Sequence, residues 1–213
     1  MKTVHFVRHG ETEENNKGVW QGHSETALNK KGVEQAKLLA ERFQKDNFEV
    51  FTSDLLRAKE TAKFLSDTYE SRENLREINV GDFAGKSVKE TYSNNSEIFT
   101  ALQDDSYSFP NGETVREFKN RVKSELDYIF DKTEENSTTI VITLITIFIA
   151  GPDVSLNGSP IVSPITAALC SSEPFPAPPP ASIYFFALSQ APPELAIKIA
   201  KRKPVTSLSL IHI

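Results

Sequence analysis

The sequence predicts an α/β domain, a three-layer sandwich in which a mostly parallel sheet is flanked by helices. Two observations predict it. Short apolar runs with strand character, Val4-His5-Phe6-Val7, Phe48-Glu49-Val50-Phe51-Thr52 and Thr138-Thr139-Ile140-Val141-Ile142, alternate with segments of helical period. The order strand, helix, strand, helix calls for right-handed crossovers between parallel strands. The β-branched run 138–142 has the composition of a strand covered on both faces.

Taken in order, residues 1–8 form a first strand, apolar enough to be central. A polar loop over 10–26 follows. Asn29 is a reasonable N-cap for a helix to about Gln44, with Val33, Ala36, Leu39, Ala40 and Phe43 at helical spacing. The second strand, 48–52, leads to a helix capped by Ser53 and running to about Tyr69, with Leu56, Ala58, Thr61, Ala62 and Leu65 inward. Residues 74–85 hold two glycines and no helical period, and read as a loop crossing the top of the sheet. Short surface helices over 87–92 and 96–102 roof it. The turn Phe109-Pro110-Asn111-Gly112 starts a helix to about Asp131, striped by Val115, Phe118, Val122, Leu126 and Ile129.

Composition bounds the function. The chain has 213 residues, room for one good-sized domain or one domain plus an appendage. A net charge of −5 without a long basic block argues against nucleic-acid binding. Arg8 breaks any signal-peptide apolar region, and the apolar run 140–150 falls short of the ~20 residues that span a bilayer. Cys170 is the single cysteine, so no disulfide framework is expected and a reducing cytoplasm is the natural compartment. The composition changes abruptly near Thr143: residues 1–142 carry 46 of the 53 charged residues, while eleven of the twelve prolines come later. The expected division is a domain over 1–150, incomplete at its end, and a Pro/Ser-rich irregular tail over 151–213 that cannot continue a parallel sheet.

The chemistry concentrates in Arg8-His9-Gly10-Glu11-Thr12, where the first strand runs out into a glycine turn. The carboxyl ends of strands are where open α/β sheets bind ligands. A histidine there can be a nucleophile or proton carrier, and an adjacent arginine suits phosphate or carboxylate. Arg57, in the first turn of the next helix, belongs to the same edge, where a helix N-terminus favours an anion. Glu77 in the crossing loop is a candidate acid, since a carboxylate beside a phosphate has its pKa raised. Asp82 competes for that role. Thr12, Gln21, Gly22 and His23 are pocket-rim candidates, although the first reading of His23 is a solvated loop residue.

Together these residues resemble the histidine phosphatase superfamily, also called phosphoglycerate mutase-like. The resemblance rests on Arg8-His9-Gly10-Glu11-Thr12 with Asn15, Gln21-Gly22, Leu28 with Gly32 and Gln35-Ala36, and Ser53-Asp54-Leu55 with Arg57-Ala58 and Thr61-Ala62. It is completed by Leu75 with Glu77, Gly81 and Gly85, and by Pro110-Asn111-Gly112-Glu113-Thr114. It covers residues 1–142. It implies a phosphohistidine at His9, phosphoryl oxygens held by Arg8, Asn15 and Arg57, and Glu77 protonating the leaving alcohol. It implies no cofactor and no metal, and a small phosphate ester as partner. The short, acidic stretch from Gly85 to Pro110 favours a phosphatase over a mutase.

The family pattern also has a second histidine after the last strand. Here Ile140-Val141-Ile142-Thr143 leads into Leu144, and His5, His23 and His212 stand elsewhere. The resulting expectations are an impaired enzyme, a phosphate-binding pseudophosphatase, or a fragment produced by a frameshift near codon 143.

Overall fold

The computed structural model describes residues 2–43, 47–94, 98 and 105–143, and the backbone of four strands beyond them. Four parallel strands form the sheet of the domain: β1 (Lys2–Val7), β2 (Phe48–Ser53), β3 (Glu70–Arg72) and β4 (Thr138–Ile142), in the order β3-β2-β4-β1. The register places Val7, Ile142 and Thr52 level across β1, β4 and β2. The three strands therefore release the chain at one height, and His9, Thr143 and Ser53 emerge together.

The helices are α1 (Glu13–Lys17), α2 (Lys30–Phe43), α3 (Leu56–Leu65), α4 (Val88–Asn94) and α5 (Val115–Lys132). Both faces of the sheet are apolar, as a buried parallel sheet requires. On one face Val7, Val50, Ile140 and Ile142 pack against Leu39 and Phe43 of α2 and Ala58 and Ala62 of α3. On the other, Val4, Phe6, Phe51 and Val141 meet Val115, Phe118, Val122 and Ile129 of α5, with Leu75, Ile78 and Val80 of the crossing loop. The three layers expected from the sequence are present.

Several boundaries differ from expectation. The helix after β2 begins at Leu56 rather than on a Ser53 cap, and its N-cap, Leu55, makes no side-chain capping bond. It stops at Leu65, because Ser66 turns the chain and its hydroxyl accepts from the Thr68 amide at 3.1 Å, a local bond that competes with helix. The freed residues then form β3. In α5 the buried stripe includes Glu125, which accepts from Arg72 Nε (2.5 Å) and Asn74 Nδ2 (2.9 Å), so that the buried carboxylate faces a cation and a second donor. Asn29 does cap α2, its Oδ1 accepting from the Gly32 amide at 2.8 Å. Of the second roof helix, 96–102, only Ile98 lies among the described residues.

Beyond residue 143 the described pieces are β5 (Ser155–Leu156), β6 (Ser159–Pro160), β7 (Leu195–Ile197) and β8 (Val205–Ile211). β8 pairs parallel with the free edge of β1, and β7 pairs antiparallel with β8. The expectation that nothing in the tail can continue the sheet is thus corrected. Ser207-Leu208-Ser209-Leu210 alternates with period two and 205–211 lacks proline, so the stretch can adopt a strand. The proline-rich segment 174–180 and Leu144 fall outside the described residues.

Candidate active site

The loop after β1 is pressed against the start of α2. A methyl group built on Gly32 would lie 2.1 Å from the Glu11 carbonyl oxygen, and one on Gly10 would lie 2.5 Å from that of Gly32. Only glycine permits this approach. Glu11 completes the clamp: its amide donates to Gln35 Oε1 (2.8 Å) and its carboxylate accepts from Asn29 Nδ2 (2.9 Å). The Gly10 amide donates to Thr61 Oγ1 at 3.0 Å, tying the loop to α3.

His9 is almost fully buried. Its Nδ1 is 2.7 Å from the Gly10 carbonyl oxygen and its Nε2 is 3.1 Å from Arg57 Nε. A carbonyl can only accept and a guanidinium can only donate, so the proton sits on Nδ1 and the lone pair on Nε2. The two contacts fix a neutral tautomer with a nucleophilic nitrogen facing Arg57.

Arg57 is fully buried, and every guanidinium N–H has a partner. Nε donates to His9. Nη1 donates to the Ser24 carbonyl (2.8 Å) and Thr26 Oγ1 (3.4 Å). Nη2 donates to the Gly22 carbonyl (2.8 Å) and Glu77 Oε2 (2.9 Å). Two of these bonds reach His9 and Glu77, and three anchor the arginine to the 22–26 loop. The ordinary surface pairings open to it are made by other residues: Glu60 accepts from the Leu28 amide, and Asp54 pairs with Arg76.

Burial pushes the Glu77 carboxyl above its ordinary pKa, although the positive charges of Arg57 and Arg8 oppose the shift. Arg8 lies in the same electrostatic group: burial lowers its pKa, with the Glu77 charge acting against it. Asp82 is exposed and accepts from Asn111 Nδ2, away from these groups. His9, Ser53, Leu55, Arg57, Ala58, Glu77 and Thr143 line one small pocket.

The raised Glu77 pKa has a consequence for stability. A carboxyl whose folded pKa exceeds its unfolded value (about 4.3) stabilises fully below that value. The contribution is lost as pH rises through the folded pKa. Glu77→Gln has no proton to lose and keeps an oxygen for Arg57. The variant is therefore expected to gain stability over the wild type between pH 4 and 8, read as the difference in urea midpoints. A constant difference across that range would contradict a buried, titrating Glu77.

The rim candidates divide. Thr12 is fully buried and caps α1: its Oγ1 accepts from the Asn15 amide, and its own amide donates to Asn15 Oδ1, both at 3.1 Å. Asn15 thus spends its carbonyl oxygen on this capping box. Gln21 is buried too, its Oε1 accepting from Thr12 Oγ1 (3.1 Å) and Thr26 Oγ1 (2.7 Å). Gly22 has φ of +51°, and its carbonyl holds Arg57. His23 is half-buried rather than solvated; burial lowers its pKa, and its Nε2 donates to the Glu77 carbonyl oxygen at 2.9 Å.

Sequence reasoning missed Arg121 and its pairing with Glu113. Arg121 sits on the polar side of α5, and no local pattern distinguishes it from the neighbouring lysines; Glu113 stands out in the sequence only as part of Pro110-Asn111-Gly112-Glu113-Thr114. Arg121 donates to the carbonyls of Asn74, Arg76 and Glu77, each at 2.9 Å, and pairs with Glu113. Among the described residues no group of three or more His, Cys, Asp or Glu side chains could hold a metal ion, and no helix is long and apolar enough to cross a membrane.

The parallel α/β sheet thus brings a histidine, two arginines and a glutamate together at one edge. The sequence matches the family model of the histidine phosphatase superfamily (branch 1) over residues 4–148, and the chain belongs to that superfamily. It is 35% identical over 148 residues to a metal-independent phosphoserine phosphatase of Arabidopsis thaliana, covering 65% of this chain and 62% of that protein. It is 32% identical over 145 residues to phosphoglycerate mutase-like protein 4 of the same plant, covering 63% of each. The chain thus spans less than two thirds of the length of these two curated relatives. The crystal structure of the alpha-ribazole phosphatase from Shigella flexneri superposes with a TM-score of 0.59 at 26% identity, covering 73% of this chain and 80% of that one.

Proposed function

We propose that the chain is a phosphomonoesterase acting on a small phosphorylated metabolite through a phosphohistidine. The observation that carries this reading is the arrangement of His9 Nε2 and Glu77 Oε2 on two donors of one buried arginine. A phosphoryl group entering the pocket takes the Arg57 Nε and Nη2 donors from those residues, with Arg8 and the Asn15 amide as further ligands. That leaves the His9 lone pair free to attack phosphorus and the Glu77 carboxyl free to be protonated. The first displacement forms the N–P bond and breaks the bond to the leaving oxygen, which takes the Glu77 proton. In the second, Glu77 takes a proton from water, the water oxygen attacks phosphorus, and the N–P bond breaks to release phosphate. Arginine supplies the charge stabilisation in both steps.

Two of the relatives are named for hydrolysis of small phosphate esters and one for its likeness to a mutase. The short connection from Gly85 to Pro110 favours hydrolysis. Leu144, where the family motif has its second histidine, limits the rate. Loss of one preorganised charge-stabilising donor costs roughly 10²–10³ in turnover. The simplest origin of Leu144 and of the compositional break beside it is a frameshift near codon 143. Sequencing the gene should reveal Ser/Thr-His-Gly-Gly in another forward frame just past codon 142; its absence from every frame refutes this origin.

The defining measurement is slow turnover of p-nitrophenyl phosphate by the full chain. Leu144 also favours a second reading, a phosphate-binding pseudophosphatase, which predicts stabilisation by phosphate without turnover. Protein that cannot be obtained folded would instead indicate a fragment.

A further inference from the structure

The carbonyl oxygen of Glu77 is held from two sides. His23 Nε2 donates to it from the α1–α2 loop, and Arg121 Nη2 donates to it from α5, both at 2.9 Å. Arg121 also takes the carbonyls of Asn74 and Arg76 with Nη1. Its remaining donors meet Glu113, with Nε at 2.9 Å from Oε2 and Nη2 at 2.5 Å from Oε1. All five N–H groups are committed, and three of them hold the backbone immediately around one side chain.

Glu113 extends the grip, its Oε1 accepting from the Asn79 amide at 2.8 Å while its own amide donates to the Asn79 carbonyl at 3.0 Å. The loop bearing Glu77 has no helix or strand of its own around that residue, so these side chains substitute for a ladder. The planar fork is essential to this geometry. A lysine in its place offers three donors from one point and cannot reach three carbonyls and a carboxylate together.

We propose that Arg121, oriented by Glu113 and assisted by His23, is the positioning residue for Glu77 as general acid and base. The proposal rests on the phosphatase reading above. A positioned acid matters in proportion to how badly the leaving group needs a proton. A nitrophenolate leaves unaided, whereas an alkoxide must be protonated as it departs. A residue that merely supports the fold would affect both classes of ester alike.

The test uses the full chain with Arg121→Lys and Glu113→Gln, and two substrates of similar size, p-nitrophenyl phosphate and benzyl phosphate. Arg121→Lys is expected to lower kcat/KM on benzyl phosphate, which reports the first displacement and not the phosphohistidine hydrolysis common to both esters, by about 10–100-fold, the usual effect of losing an outer-shell orienting group. The loss on p-nitrophenyl phosphate should be at least ~10 times smaller, as expected when an acid is misplaced rather than the nucleophile. Glu113→Gln should show the same split to a lesser degree and serves as the reporter if the lysine variant fails to fold. Equal losses on both esters overturn the positioning role.

If the wild type turns over neither ester, the phosphatase reading fails, and the carboxyl carbon of Glu77 is titrated by NMR, assigned by its absence in Glu77→Gln. Release of the loop in Arg121→Lys should return the Glu77 pKa toward the ordinary carboxylate range. An unmoved pKa overturns the proposal independently of activity.

Discussion

His9→Ala is expected to abolish turnover, with a loss of at least ~10⁴-fold on every phosphate ester the wild type accepts, the scale seen when a covalent nucleophile is removed. Both ring contacts of His9 bear on this magnitude. The Gly10 carbonyl fixes the proton on Nδ1, and Arg57 faces Nε2, so no other described side chain offers a pre-aligned lone pair to a phosphorus atom held by that arginine. The enzyme is expected to trap phosphate as an acid-labile, base-stable adduct, and the variant should trap none. The fold should survive, because water can enter the vacated space and accept from Arg57 Nε. Phosphate-dependent thermal stabilisation in the variant would therefore show that binding persists while chemistry does not. Residual turnover within tenfold of the wild type would mean that His9 is not the nucleophile.

The parts of this site that were legible in the sequence share a cause. His9, Arg57 and Glu77 lie at strand ends, helix starts and glycine-flanked loops, where local pattern and chemistry coincide. Strands β1, β2 and β4 were legible because burial on both faces leaves a continuous apolar run. β3 was not, because Glu70-Ser71-Arg72 forms its strand through pairing with β2 and has no apolar pattern of its own. Arg121 stayed invisible for a different reason. Its importance comes from three carbonyls that are 44 to 47 residues distant and reach it only after α5 packs on the sheet. Thr12 and Gln21 are pocket-rim candidates by sequence, yet their hydrogen bonds turn inward to shape the loop. Polar residues in a signature segment can serve the loop rather than the substrate, and only the bond partners separate the two.

Arg57→Met should destabilise the protein by about 3–5 kcal/mol at pH 8, the scale of breaking a buried ion pair from one side. The substitution keeps bulk in the cavity but strands the Gly22 and Ser24 carbonyls and removes the nearest counter-charge from Glu77. Arg57 also lowers the Glu77 pKa, by charge and by hydrogen bond, so its loss lets burial raise that pKa further. The sign of the pH dependence follows. A larger upward shift means a larger stability loss as pH rises from the unfolded carboxyl value through the new folded one. The deficit of Arg57→Met against the wild type should therefore be smaller at pH 5 than at pH 8, measured by urea denaturation. Adding Glu77→Gln to Arg57→Met should recover part of the loss at pH 8, since the double variant has no buried charge to leave unpaired. Non-additivity of that kind measures the coupling directly. Parallel stability profiles for the single variant and the wild type, with strictly additive effects in the double variant, would mean that Arg57 and Glu77 are neighbours without being an ion pair. The exchange of Arg57 from Glu77 to a phosphoryl oxygen, on which the proposed first step depends, would then lose its physical basis.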